Sequence, residues 1–162
     1  MRGRVQALKG DIKAELNAIA RIYEALPQPT SGPSDAGETI VAGYHLHNLY
    51  NAFESVFRLV AAAFENDVPD ATQWHRLLLE RMGRAIEGVR PALLSPEAVV
   101  ALDELRRFRH LFRHLYQAEL DASGVATALR RAWQLQGMYK EEVGAFLSFL
   151  DGLTEPEGPG QG

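Results

Sequence analysis

The sequence contains no cysteine, which excludes disulfides, thiolate nucleophiles and cysteine-ligated zinc and fits a cytoplasmic protein. It has no run of about eighteen apolar residues, so no membrane-spanning helix is expected. Met1-Arg2-Gly3-Arg4 leads into no apolar stretch of the kind a secretory signal needs. Strand-like alternation of apolar and polar residues is missing, and so is any internal repeat of solenoid period. An excess of positive charge is also lacking: the formal net charge of −4 argues against a general nucleic-acid coat protein.

What remains is a helix-forming chain of 162 residues, 46% apolar, enough for one domain with a real core. Residues 1–152 are expected to form a single helical domain, and 153–162, Pro- and Gly-rich from Glu155 onward, a flexible tail. Five helical segments alternate with breaks. The first spans about 4–26, with Leu8, Ile12, Leu16, Ile19 and Tyr23 at helical spacing, and Pro27 to Pro33 stops it. The second spans about 38–65. Its apolar stripe runs from Leu46 through Leu49, Phe53, Val56 and Val60 to Phe64, and Asn48, Asn51, Glu54, Ser55 and Arg58 lie on another side. A third covers about 71–89. The fourth opens at Ser95-Pro96, an N-cap followed by a proline suited to the first helical position, and runs to about Leu120. The fifth spans about 125–152, with Leu129, Trp133, Val143, Phe146 and Leu150 as its core face. The fold class expected is an all-α bundle.

The fourth helix carries the chemistry. Arg106-Arg107-Phe108-Arg109-His110-Leu111-Phe112-Arg113-His114-Leu115-Tyr116 gathers four arginines and two of five histidines on one amphipathic segment. At about 100° per residue, Ala101, Leu102, Leu105, Phe108, Phe112 and Leu115 make a core arc, with Arg109 at its edge and Tyr116 beside it. His110 and His114 share a face. On an ideal helix Arg109 and His114 point partly apart. Either the arginine swings round, or a second chain completes the site across a two-fold axis, and this difficulty favours a homodimer. A guanidinium can hold a phosphate in a bidentate fork, and an imidazole can move the proton of a ribose 2′-hydroxyl near neutral pH. Together they suffice for metal-free RNA cleavage. Arg106, Arg107, His110 and Arg113 are then expected to bind phosphate, and Asn48, Asn51 and Glu54 of the second helix to support the arginines.

A bound metal is not expected. Leu111, not Glu, follows His110, so the zinc-protease pattern is absent, and four arginines would repel a cation. His45 and His47 face opposite sides, one expected to be solvated and the other packed. His75, after Trp74, is expected to be structural, the alternative being that it lines the site.

Arg109 to Tyr116 resembles the Arg-x4-His-x-Tyr signature of HepT-like toxins in the HEPN superfamily, a spacing that this composition would produce by chance in about one chain in a hundred. His47-Asn48-Leu49-Tyr50-Asn51-Ala52-Phe53-Glu54 is similar to the second-helix pattern of that family, and Trp74-His75-Arg76-Leu77-Leu78 to a block between the two. Order and spacing match over roughly residues 5–150. The resemblance implies a four- to five-helix HEPN-like bundle, dimeric, acting as a metal-independent endoribonuclease toxin that requires no cofactor. It assigns Arg109 and His114 as the catalytic pair. It assigns Tyr116 as the tyrosine to which a minimal nucleotidyltransferase antitoxin adds AMP. The alternative within the superfamily is a non-catalytic partner or substrate-binding subunit of a nucleotidyltransferase.

Overall fold

A computed structural model describes residues 1–65, 73–114 and 119–155. Tyr116 and the tail beyond Glu155 lie outside the described residues. Six α-helices make up the fold among those described: α1 (Arg2–Ala25), α2 (Ala36–Phe64), α3 (Trp74–Met82), α4 (Pro96–Arg113), α5 (Ala122–Gln136) and α6 (Tyr139–Gly152). The all-α expectation holds; an isolated bridge between Ile86 and Arg90 is the only extended pairing among the described residues. None of the helices described is long and apolar enough to cross a membrane.

The long α2 is the central post, touching α1, α3, α4 and α5. Leu46, Leu49, Tyr50, Phe53, Val56, Phe57 and Val60 are all buried along it. Side chains of this size each contribute about 1.5–3 kcal/mol on burial. Asp35 starts the helix by accepting from the Glu38 amide at 2.8 Å, which satisfies one of the free first-turn donors. Glu38 reaches back to the Ser34 amide at 2.7 Å.

Three expected boundaries differ from those observed. The third helix stops at Met82, not near residue 89, because the Met82 carbonyl accepts the amides of Leu93 (2.9 Å) and Leu94 (3.1 Å) and the chain doubles back there. Gly83 permits the close approach: a Cβ at this position would sit 2.8 Å from Val99 Cγ2 of α4. The reversal encloses Arg90, whose side chain is fully buried. It pairs with Glu65 and donates to the carbonyls of Arg81, Arg84 and Pro91 at 3.0–3.1 Å.

The fourth helix begins as expected, with Ser95 Oγ accepting from the Ala98 amide at 3.2 Å and Pro96 in the first turn. It ends at Arg113 and not at about Leu120. Leu120 folds back onto α2 beside Phe112, its Cδ2 so close that a Cβ on Gly43 would lie 2.7 Å away. Asp121 then caps α5, accepting from the Ser123 amide at 3.1 Å. The expected fifth helix is two. Gly137 and Met138 close tight turns onto Gln134 and Leu135, and the break seats Tyr139 between Tyr23 (5.6 Å, stacked) and Phe53 (5.3 Å, edge-on).

Candidate active site

The C-terminal half of α4 lies beside α2, and together with the start of α3 it lines an open cleft of about 410 Å³. Arg76, Arg106, Arg109 and Arg113 line it, with His75, His110, His114 and Gln73. No carboxylate lines it among the described residues. On a chain of net charge −4, this is a local cationic site where a polyanion would be held at short range.

Arg109 and His114 therefore share one cleft within a single chain. Because α4 ends at Arg113, His114 occupies the cap position with φ −106° and ψ 15° and leaves the ideal helical track. The angular difficulty that favoured completion by a second chain is met locally. His114 Nδ1 is 2.7 Å from the His110 carbonyl oxygen. A carbonyl only accepts, so Nδ1 keeps its proton and Nε2 is the nitrogen free to gain or lose one. The His110 ring lies 4.5 Å from that of His114.

Arg109 is half-buried and fixed from α2: its Nε donates to Asn51 Oδ1. The Asn51 amide nitrogen must then donate, and it lies 3.1 Å from His47 Nε2. That makes Nε2 of His47 an acceptor and puts the proton of the neutral ring on Nδ1, a buried atom with no hydrogen-bond partner among the described residues. The His47 ring packs on Phe112 at 5.4 Å. Burial, with Arg109 and Arg113 nearby, holds the His47 pKa below its ordinary value and keeps the ring neutral. Burial also draws the Arg109 guanidinium below its usual range, opposed by the charge of Glu54. Of the neighbouring pair, His47 is the packed member, and His45 is half-buried with its ring edge-on to Tyr44.

Glu54 is buried to 3% and supports the cleft from below. Its carboxylate takes His75 Nδ1 at 2.7 Å and Arg58 at 3.2 Å, and the Arg58 guanidinium sits 4.3 Å over the Trp74 ring. His75, expected to be structural, is tied to Glu54 and at the same time lines the cleft. No local spacing could have revealed this, since Glu54 and His75 are 21 residues apart on different helices.

The remaining expected phosphate ligands divide. Arg113 faces the cleft with no ion pair among the described residues, and Arg106 faces it while bonded to Asp103 at 2.9 Å. Arg107 turns away. It is exposed, is not among the lining residues and is held by Asp103. Asn48 is half-buried and does not line the cleft. Among the described residues no cluster of three or more His, Asp or Glu could hold a metal ion.

A family model described as HepT-like protein matches residues 41–150, a span that takes in Asn51, Glu54, His75, Arg109 and His114. No curated protein and no solved structure matches the chain.

Proposed function

The chain belongs to the HepT-like family of HEPN proteins, and from that membership we propose that it is a metal-independent endoribonuclease, the toxin of a toxin–antitoxin pair acting in the cytoplasm. The observation that carries the reading is the open cleft that Arg109 and His114 share, lined by four arginines and three histidines with no carboxylate among the described residues. His114 Nε2 takes the proton of a ribose 2′-hydroxyl, and the 2′-oxygen attacks the adjacent phosphorus. Arg109, oriented by Asn51, holds the equatorial oxygens as their charge grows. Arg106, Arg113 and Arg76 hold flanking phosphates, and His110 packs under His114. The product ends are a 2′,3′-cyclic phosphate and a 5′-hydroxyl.

A minimal nucleotidyltransferase antitoxin silences the toxin by adding AMP to Tyr116. The nucleotide brings negative charge and bulk to a region that must receive the substrate phosphate. The working unit is a two-fold homodimer. The exposed Leu111 on α4 and the exposed Ile40, Val41 and Tyr44 on α2 support this, being apolar side chains that a second copy would cover. Sedimentation as a monomer at micromolar concentration counts against the dimer alone.

The test of the function is cleavage of a mixed-sequence RNA by the purified chain in excess EDTA. Cleavage by wild type, with His114→Ala slower by about 10²–10⁴-fold and still binding RNA, is the expected result. Binding without cleavage would show a non-catalytic partner, and activity abolished by the chelator would show a metal enzyme.

A further inference from the structure

Cleavage by 2′-oxygen attack needs two proton transfers: one from the attacking 2′-hydroxyl, and one to the departing 5′-oxygen. The Arg109/His114 pair of one chain supplies one titrating group for the first transfer, and a second such group on the same cleft wall would serve the departing oxygen. His110 is a poorer candidate, because its ring lies 4.5 Å from that of His114 on the same helix and no side-chain hydrogen bond among the described residues holds it. His75 is the other histidine on the wall, and it comes from a different helix.

We propose that His75 is a second catalytic residue, the general acid that protonates the leaving 5′-oxygen, with Glu54 as its positioning residue. This rests on the ribonuclease reading above. The argument begins with what holds each ring. Glu54 offers His75 only acceptors, so at 2.7 Å Nδ1 keeps its proton in both charge states and Nε2 is the exchanging position. The ring is about one-quarter exposed, its open side on the cleft. Glu54 is all but removed from solvent, and Arg58 is bonded to its other oxygen, so the carboxylate cannot swing away without breaking that bond too. A carboxylate balances the charge of an imidazolium. The backbone carbonyl that holds His114 has only a dipole to offer. Of two histidines in one cleft, His75 is therefore the one backed by a carboxylate, as a proton donor requires, and His114 the one backed only by a carbonyl.

The charged groups facing His75 are Glu54 and Arg58 from α2, Arg76 beside it on α3, and Arg106, Arg109 and Arg113 from α4. The arginines oppose a positive ring, which is why the buried carboxylate in direct contact matters. In the step itself the 2′-oxygen gives its proton to His114 Nε2 and forms the new bond to phosphorus. The bond from phosphorus to the 5′-oxygen breaks, and that oxygen takes the proton from His75 Nε2. No electrons change hands and no co-reactant is needed. Exchange of the two proton states with water resets the pair.

The experiment compares two substrates across pH: a short oligoribonucleotide, and uridine 3′-(4-nitrophenyl phosphate), whose leaving group departs without a proton. Wild type should give a bell-shaped profile of kcat/KM on the oligonucleotide. His75→Ala should lower that rate by about 10²–10⁴-fold and abolish the fall at high pH, while losing less than about tenfold on the aryl ester. His114→Ala should lose on both substrates. Glu54→Gln retains an acceptor for Nδ1 without the charge, so the high-pH limb should move to lower pH. His75→Gln, which fills the same space, serves as the check where the alanine variant folds poorly, as judged by its melting temperature. A folded His75 variant that retains the bell, or that loses equally on both substrates, overturns the assignment and leaves the ribonuclease standing. Absence of cleavage by wild type overturns both.

Discussion

Arg109 on α4 donates from Nε to Asn51 Oδ1 on α2, a bond between residues 58 positions apart that fixes the guanidinium at the cleft wall. It leaves the two terminal nitrogens of Arg109 for a substrate, the fork that matches two phosphate oxygens. Asn51→Ala should therefore lower kcat by about tenfold with little change in RNA affinity, since the charge remains and only its aim is lost. Arg109→Lys should not restore Arg109→Ala, because an ammonium can neither occupy the Asn51 contact through Nε nor present two parallel donors. Single-turnover rates beside binding isotherms separate the two effects. Equal losses in rate and affinity for Asn51→Ala would mean that the residue contacts RNA itself.

The division among the arginines gives a second expectation. Arg113 faces the cleft and Arg107 is held outside it by Asp103. Arg113→Ala should weaken RNA binding and reduce the slope of log K against log salt by about 0.7, the share of one phosphate contact on a single strand. Arg107→Ala should leave both nearly unchanged. A salt series on the two variants distinguishes the cleft from a generally basic helix face.

His47 links the site to acid stability. In the folded chain its pKa lies below the ordinary value, with burial the main cause, so the unfolded chain binds more protons as pH falls. Its contribution is fully present above about pH 6.5, the unperturbed histidine value, and is lost as pH drops toward the folded value. Acidification from about pH 7 to 5 should lower the melting temperature, and His47→Gln, which cannot titrate, should flatten that part of the curve. The same protonation turns Nε2 into a donor facing the Asn51 amide and releases Arg109, so activity should fall with acid beyond what His114 alone causes. An unchanged melting curve in His47→Gln would remove His47 from this account.

The helices were legible in the sequence because the apolar spacing of α2 and of the first half of α4, and the Ser95-Pro96 cap, are local signals. Where α3, α4 and α5 stop was not legible. Those ends are decided by contacts between distant segments: Gly83 against Val99, Leu120 against Gly43, Tyr139 against Tyr23 and Phe53. The site divides in the same way. Arg109, His114 and Asn51 stood out by residue type and motif, but the geometry that brings Arg109 and His114 together depends on α4 ending early, which an ideal helix does not anticipate. From the sequence His75 reads as structural, because its partner, Glu54, is on another helix. Arg107 reads as one of the basic cluster by residue type, and its i,i+4 pairing with Asp103 is the local signal that sets it apart.

Tyr116 follows His114 by two residues and lies outside the described residues, so its role rests on chemistry and family spacing. His114 caps α4 and is exposed at the cleft, and Tyr116 is two residues further along the sequence. On the reading proposed above, a phosphodiester added at Tyr116 brings a negative charge that opposes binding of a polyanionic substrate. Tyr116→Phe removes only the hydroxyl, so it should leave RNA cleavage within about twofold of wild type, a surface-sized perturbation. The variant should escape silencing by the cognate nucleotidyltransferase supplied with ATP and magnesium. Mass spectrometry should find AMP on the wild-type peptide containing Tyr116 and none on that peptide in the variant. AMP confined to Tyr44 or another tyrosine would move the modification site without touching the assignment of Arg109 and His114. Tyr44 is the informative control, because it is exposed on α2 and is available to an enzyme that reads accessibility alone.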